Sequence, residues 1–335
     1  RIENLPPYVF SIINGLKIEA RRAGADVVDL GFGNPDIPSP QIAVDKLAEA
    51  ARNPKNHRYS LSRGLPKLRE AIAGYYKAKW DVDLDTELEI TNTIGSKEGF
   101  SHLMWVLLDR GDAAIVPSPS YPIHIYGPLF AGADLRQVPM KFLADPDQRE
   151  HFADDFMDSL QTAWDVGWPK PRVLVISFPH NPTGATVDLA FMQRVVDFCR
   201  EHEMIVVHDF AYADVGFDGH QPPSILQAEG AKECAVELYS MTKSFSMAGW
   251  RSAFLLGNAE VVQALVKLKS YLDYGMFQPV QIAATVTINE AADYPNEIRA
   301  IYESRCDTLI DGLGRIGWDI PKPGGSMFVW APIPE

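Results

Sequence analysis

Cysteine is scarce: Cys199, Cys234 and Cys306 are the only three in a chain of 335 residues. An odd number, widely spaced and without a C-x-x-C pair, supplies neither a disulfide framework nor a thiolate metal site, and fits a reducing, cytoplasmic setting. Long apolar runs are missing as well. No stretch approaches the ~18–20 residues that a bilayer span requires, and the opening "RIENLPPYVF" lacks the cationic-then-apolar pattern of a secretory signal. Positive charge is in deficit. Lys and Arg number 31 against 44 Asp and Glu, a formal net charge of -13, which argues against nucleic acid or an anionic membrane as partner. Internal repeats and low-complexity tracts are absent. There is no initiator methionine, and the close "GGSMFVWAPIPE" reads as a strand entering more structure, so both ends are expected to be incomplete.

What is present fits an ordinary globular enzyme of about two domains, with 46% hydrophobic and 22% charged residues. Short, nearly continuous apolar segments recur: "AAIVPSPS", "RVLVISFPHNPTG", "MIVVHDFAYAD", "CAVELYSMTKS" and "AFLLGN". Strands without polar alternation are covered on both faces, which predicts a mainly parallel sheet between helices. In "DLAFMQRVVDFCREHE" the residues Leu189, Met192, Val195, Val196 and Cys199 share one helical face. Phe100, Leu103, Met104, Leu107 and Leu108 do the same in a helix that starts near Ser96. Alternating β and α elements predict an α/β domain whose ligands gather at the carboxyl ends of its strands.

The unusual polar residues fall at those ends. Asn181, Asp209 and Lys243 each follow one of the apolar segments, so three distinct groups converge on one crevice. Each has a plainer reading alone. Lys243 could be a solvated lysine, Asp209 a salt-bridge partner and "NPTG" a turn. Gly95, Ser96 and Lys97 form a glycine turn opening a helix, either a simple cap or a seat for phosphate. Other matches fail. "GFGNPD" has Asp36 where a dinucleotide fingerprint needs its third glycine. In "HEMIVVH" the second histidine is His208, with Val206 where a zinc helix needs it, and the histidines form no recognisable metal cluster. Ser240 to Lys243 is literally S-x-x-K, the serine-hydrolase signature, but S-D-N is absent and Asp209 and Asn181 would be left without a role.

Together these motifs resemble the class I/II pyridoxal-phosphate-dependent aminotransferases of fold type I, along essentially the whole chain. The resemblance implies a three-layer α/β/α large domain with a mainly parallel sheet, plus a smaller α+β domain. Its division would run 1–45 for an N-terminal arm and part of the small domain, 46–280 for the cofactor-binding domain and 281–335 for an incomplete small domain. It implies that Lys243, in "SMTKSFSMAGWR", carries the cofactor's aldehyde carbon covalently and later moves the substrate's α-proton. Arg251, Ser240, Ser96 and Lys97 would gather around the cofactor phosphate, and Tyr121 in "PSYP" would stack on the ring. Asn181 and Tyr212 would meet the ring's phenolic oxygen and Asp209 its pyridine nitrogen. Tyr59 in "YSLSRG" would reach the phosphate of a neighbouring subunit, implying a homodimer, and Gly33 would lie beside the substrate carboxylate.

The phrases "LPPYVF", "YSLSRG", "PSYPIHIYG" and "KSYLDYGMF" are most similar to bacterial alanine (glutamate–pyruvate) aminotransferases. Enzymes using LL-diaminopimelate, aspartate or methionine, and carbon–sulfur lyases on the same scaffold, are the alternatives. A regulator using this fold as a ligand sensor would carry a basic DNA-binding segment, for which the chain ahead of "GFGNPD" has no room. The family clamps the substrate α-carboxylate with an arginine of the small domain. After Arg251 only Arg299, Arg305 and Arg315 occur, none in that motif. Either the chain continues past Glu335, the favoured reading, or it cannot hold an amino acid in the usual way.

Overall fold

The computed structural model describes residues 6, 7, 9–31, 33–140 and 151–333. Two compact units divide it, residues 1–36 and residues 37–335. The first contains helix α1 (Val9–Arg22), which places Arg21 and Arg22 in its last turn, where cations oppose the helix dipole. Lys17 pairs with Asp29 at 2.6 Å within the same unit.

The second unit is built on a seven-stranded sheet. In chain order its strands are β1 (Ile90–Ile94), β2 (Ala113–Ser118), β3 (Asp134–Pro139), β4 (Val173–Ile176), β5 (Ile205–Asp209), β6 (Ala235–Ser240) and β7 (Ser252–Gly257). In space they run β1-β7-β6-β5-β4-β2-β3. Strands β3, β2, β4, β5 and β6 are mutually parallel, while β7 runs antiparallel to both β6 and β1. Because β7 reverses direction between them, β1 points the same way as β6, and its carboxyl end lies at the same edge of the sheet.

Alternate residues of each strand feed opposite faces. Ile115, Leu174, Ile176, Val206 and Leu256 enter one apolar core with residues of α3 (Pro66–Trp80) and α7 (Leu189–Glu201). Ala114, Val116, Val173, Val175, Val207 and Leu255 enter the other with residues of α4 (Ser96–Leu107) and α8 (Ala259–Leu272). The result is the expected three-layer α/β/α arrangement. Further helices are α2 (Gln41–Ala51), α5 (Pro122–Ala131), α6 (Phe152–Asp165), α9 (Gln278–Glu290) and α10 (Tyr294–Gly314). Among the described residues, no helix is long and apolar enough to cross a membrane.

Local chemistry sets the helix boundaries. Asp188 caps α7 by accepting a hydrogen bond from the Phe191 amide at 2.8 Å, and Asp81, left-handed at φ 56°, ends α3. On α7, Met192, Val195, Val196 and Cys199 are buried as the periodicity predicts, each aliphatic side chain contributing roughly 1.5–3 kcal/mol. Leu189, counted in the same stripe, is 40% exposed because it sits in the first turn, at the rim of the layer.

A polar knot lies between β5 and β6. The buried Glu237 carboxylate accepts from the Tyr76 hydroxyl (2.7 Å), the Ser224 hydroxyl (2.8 Å) and the Ile225 amide (2.9 Å), and meets His208 Nδ1 at 2.8 Å. His208 Nε2 in turn lies 3.2 Å from both backbone polar atoms of Phe178. A buried carboxylate is tolerable with this many partners, and the knot ties β5 and β6 to the segment that follows β4.

Candidate active site

Every expected site residue of the larger unit except Tyr59 descends from that one edge. Asp209 is the last residue of β5, and Asn181 lies in the turn after β4. Lys243 sits on a helical turn, Met241–Ser244, that follows β6 directly. The buried Ser240 caps this turn, its hydroxyl accepting from the Thr242 amide at 3.2 Å.

Lys243 Nζ stands 5.9 Å from the centre of the Tyr212 ring. Burial alone pulls its ammonium pKa from 10.5 down to about 8. Tyr212 is buried and hydrogen-bonded to Asn181. Its phenol is pushed well above the ordinary range by burial first and by the Asp209 charge second, so it stays neutral. Asp209 is buried, with Oδ2 2.8 Å from His124 Nε2, and its backbone carbonyl accepts from the Ser177 hydroxyl at 2.9 Å. Its other oxygen, Oδ1, is buried with no hydrogen-bond partner among the described residues. A carboxylate oxygen left so calls for a cationic N–H.

The second cluster is joined to the first through Tyr121 and His124. Tyr121 precedes α5 and meets His124 edge-on at 5.6 Å, and Lys97 Nζ lies 5.9 Å from the Tyr121 ring centre. Beside Lys97, Ser96 opens α4 after Gly95, whose φ of 81° favours glycine. A Cβ at Gly95 would collide with the Arg251 guanidinium, so the glycine is what lets Arg251 lie against the helix start. Register explains the meeting: Ile94 pairs with Ser252 and Ser240 with Ala253, so the residue ahead of β7 falls between the ends of β1 and β6. Glu98 fixes the first turn of α4 by accepting from the Ile94 amide at 2.7 Å. Ser96, Lys97 and Arg251 thus meet at the start of α4, where the helix N-terminus favours negative charge.

One expected residue of the larger unit stands apart from this edge. Tyr59 is 87% exposed, its ring 5.0 Å from that of Tyr274. Gly33 belongs to the N-terminal unit.

Sequence reasoning missed His124. It stands three positions after Tyr121, on the first turn of α5, with Nδ1 3.0 Å from the Ser120 hydroxyl. With Nε2–H donated to the carboxylate, Nδ1 accepts from Ser120, which fixes ring and tautomer together. It missed the segment 323–328 too. Ser326 donates its amide to the Val215 carbonyl at 2.8 Å, and Phe328 meets the Tyr212 ring edge-on at 5.7 Å. A Cβ on Gly184, left-handed at φ 70°, would lie 2.5 Å from Pro323, so the Asn181 turn is packed directly beneath this segment.

Sequence comparison agrees with the geometry. The family model for aminotransferase class I and II matches residues 25–335. The chain is 46% identical over its full length to the glutamate-pyruvate aminotransferase AlaC of Escherichia coli, covering 79% of that protein. It is 40% identical over its full length to an LL-diaminopimelate aminotransferase of Moorella thermoacetica, covering 83% of it. Among solved structures, substrate-bound BacF of Bacillus subtilis superposes with a TM-score of 0.91 at 36% identity, over 99% of this chain and 82% of that one. With the fold, the family-model match and the identity over the whole chain in agreement, the chain belongs to the class I and II aminotransferases.

Proposed function

We propose that this aminotransferase uses pyridoxal phosphate to move an amino group between L-alanine or L-glutamate and the matching 2-oxo acids. The family is generally dependent on this cofactor, and the residues fit it. The partnerless Oδ1 of Asp209 suits a protonated ring nitrogen. Asn181 and Tyr212 suit the phenolic oxygen, Tyr121 the ring face, and Ser96, Lys97, Ser240 and Arg251 the phosphate. The observation that carries the reading is the pairing of a lysine made deprotonatable by burial with a buried, half-satisfied carboxylate across Tyr212.

Pyridoxal phosphate, when bound, supplies a conjugated ring that takes up the electron pair left at the substrate α-carbon. The protein's part is positional and protonic. Lys243 would hold the cofactor covalently between turnovers; as a free amine with a pKa near 8 its Nζ would take the substrate α-proton and pass it on to the cofactor within the same half of the exchange, running the transfer backwards in the return half. Asp209 Oδ1 would accept a hydrogen bond from a protonated ring nitrogen, and His124 keeps the carboxylate in place at 2.8 Å. Tyr212 stays a neutral hydrogen-bonding phenol. Gly33 is assigned to the substrate carboxylate.

Alanine and glutamate are put first because of the identity to the glutamate-pyruvate enzyme; the LL-diaminopimelate relatives make that diamino acid the second candidate. A homodimer is part of the proposal. Tyr59, Leu61, Tyr271, Tyr274 and Phe277 form an exposed apolar set that a second copy would cover, taking Tyr59 to its phosphate. Three buried, free cysteines suit a cytoplasmic enzyme.

The test is the visible absorption spectrum of purified protein incubated with pyridoxal phosphate. A band that bleaches with L-alanine and returns with pyruvate or 2-oxoglutarate supports the assignment. Protein that never acquires the band, or a Lys243→Ala variant that still turns over, refutes it.

A further inference from the structure

A second charged cavity lies away from the cluster around Lys243, between the carboxyl end of α3, the loop 213–222 and the first turns of α10. It encloses about 310 Å³ and is lined by Lys79, Asp214, His220, Gln221, Asn296 and Arg299, among others. Its walls are held firmly. Gln221 Nε2 donates to the Lys79 carbonyl at 2.8 Å, and the Trp80 indole donates to the Pro222 carbonyl at 2.9 Å. A Cβ at Gly216 would collide with the His220 carbonyl.

The charges in the cavity do not balance. Asp214, the only carboxylate of the lining, is already committed: Oδ1 accepts from the Tyr75 hydroxyl at 2.9 Å and pairs with Lys79, and Oδ2 accepts from the Tyr239 hydroxyl at 2.9 Å. Arg299 has no hydrogen bond and no ion pair among the described residues. It lies close enough to Lys79 for its charge, after burial, to help bring that ammonium down to about 8. His220 adds a buried Nε2 without a hydrogen-bond partner among the described residues. An enclosed space with an uncommitted guanidinium, a second cation and an unsatisfied imidazole nitrogen matches one class of ligand: an oxyanion, whose geometry the guanidinium fork reads bidentately.

We infer that this cavity is a binding site for a small carboxylate- or phosphate-bearing molecule, held by Arg299 with His220 and Lys79 alongside. The site is distinct from the cofactor seat, since none of its lining residues belongs to that seat. Ala213 and Asp214 follow directly on Tyr212, so a ligand here rests on the loop that carries that phenol.

The test uses cofactor-loaded enzyme, so that the phosphate seat at α4 is filled, and follows the melting temperature against inorganic phosphate and, separately, sodium acetate at constant ionic strength. A saturable rise is expected with at least one anion, as linkage requires of a ligand of the folded state. Which anion acts tells carboxylate from phosphate. Arg299→Gln should weaken the apparent affinity by about tenfold or more, the loss of a charged hydrogen-bonding partner. Asn296→Asp changes an exposed side chain at the rim without disturbing the core, and should weaken it likewise by repulsion. Overturning results are no saturable rise with either anion, or the same rise in wild type and both variants.

Discussion

Replacing Lys243 should stabilise the cofactor-free protein, although it removes the residue to which proton transfer is assigned in the proposed function. Lys243 is charged at neutral pH in the unfolded chain, where its pKa is near 10.5, whereas burial lowers it to about 8 in the folded one. At pH 7 the folded state therefore holds a proton it binds poorly, and a fall of this size corresponds to roughly 3 kcal/mol of lost stability. Between pH 8 and 10.5 the unfolded chain binds more protons than the folded one, so stability rises with pH in that window, and above it the penalty is gone. Lys243→Met keeps most of the buried aliphatic volume and deletes the charge. Urea denaturation of cofactor-free enzyme should show the variant more stable by roughly 3 kcal/mol at pH 7, with the gap shrinking steadily from pH 8 and closing near pH 10.5. A variant of equal or lower stability at pH 7, or a gap indifferent to pH, would refute the claim that burial depresses this lysine.

Further changes separate the parts of the site. Asp209→Asn should lower kcat by about a hundredfold or more, as expected for a group supporting proton transfer, while the cofactor still binds; near-normal kinetics would make Asp209 a structural partner of His124 only. Gly95→Ala should force Arg251 off the start of α4 and weaken cofactor affinity by about tenfold, read by fluorescence titration with pyridoxal phosphate, and unchanged affinity would remove Arg251 from the phosphate seat. Glu237→Gln leaves buried donors facing an amide nitrogen and should cost roughly 3 kcal/mol in urea unfolding. A cost below about 1 kcal/mol would mean the knot between β5 and β6 matters little.

How far the sequence could be read depended on who surrounds each residue. Strands β2, β4, β5 and β6 were legible because helices cover both faces, leaving apolar runs such as Val173–Ile176. Strand β1 hid behind its composition: Thr91, Asn92 and Thr93 are buried yet polar, so "ITNTI" does not read as a core strand. Strand β3 lies at the sheet edge, partly exposed, where "DLRQVP" meets weaker demands for apolar residues. Asn181, Asp209 and Lys243 were legible because each breaks an apolar segment at its end. His124 was not. Its partner Asp209 is 85 residues away, and nothing in "PSYPIHIYG" announces that the ring turns inward.

The strand order also governs when the site can come into being. Gly95 and Arg251 touch only because β1, the first strand made, pairs with β7, the last. The closing contact, Ile90 against Leu256, spans nearly the whole sheet in sequence, and such distant pairings form late and slowly. A chain emerging from the ribosome can assemble β2 to β6 and align Asp209 and Asn181 well before Arg251 meets the start of α4. The meeting of Gly95 and Arg251 therefore marks the completed sheet.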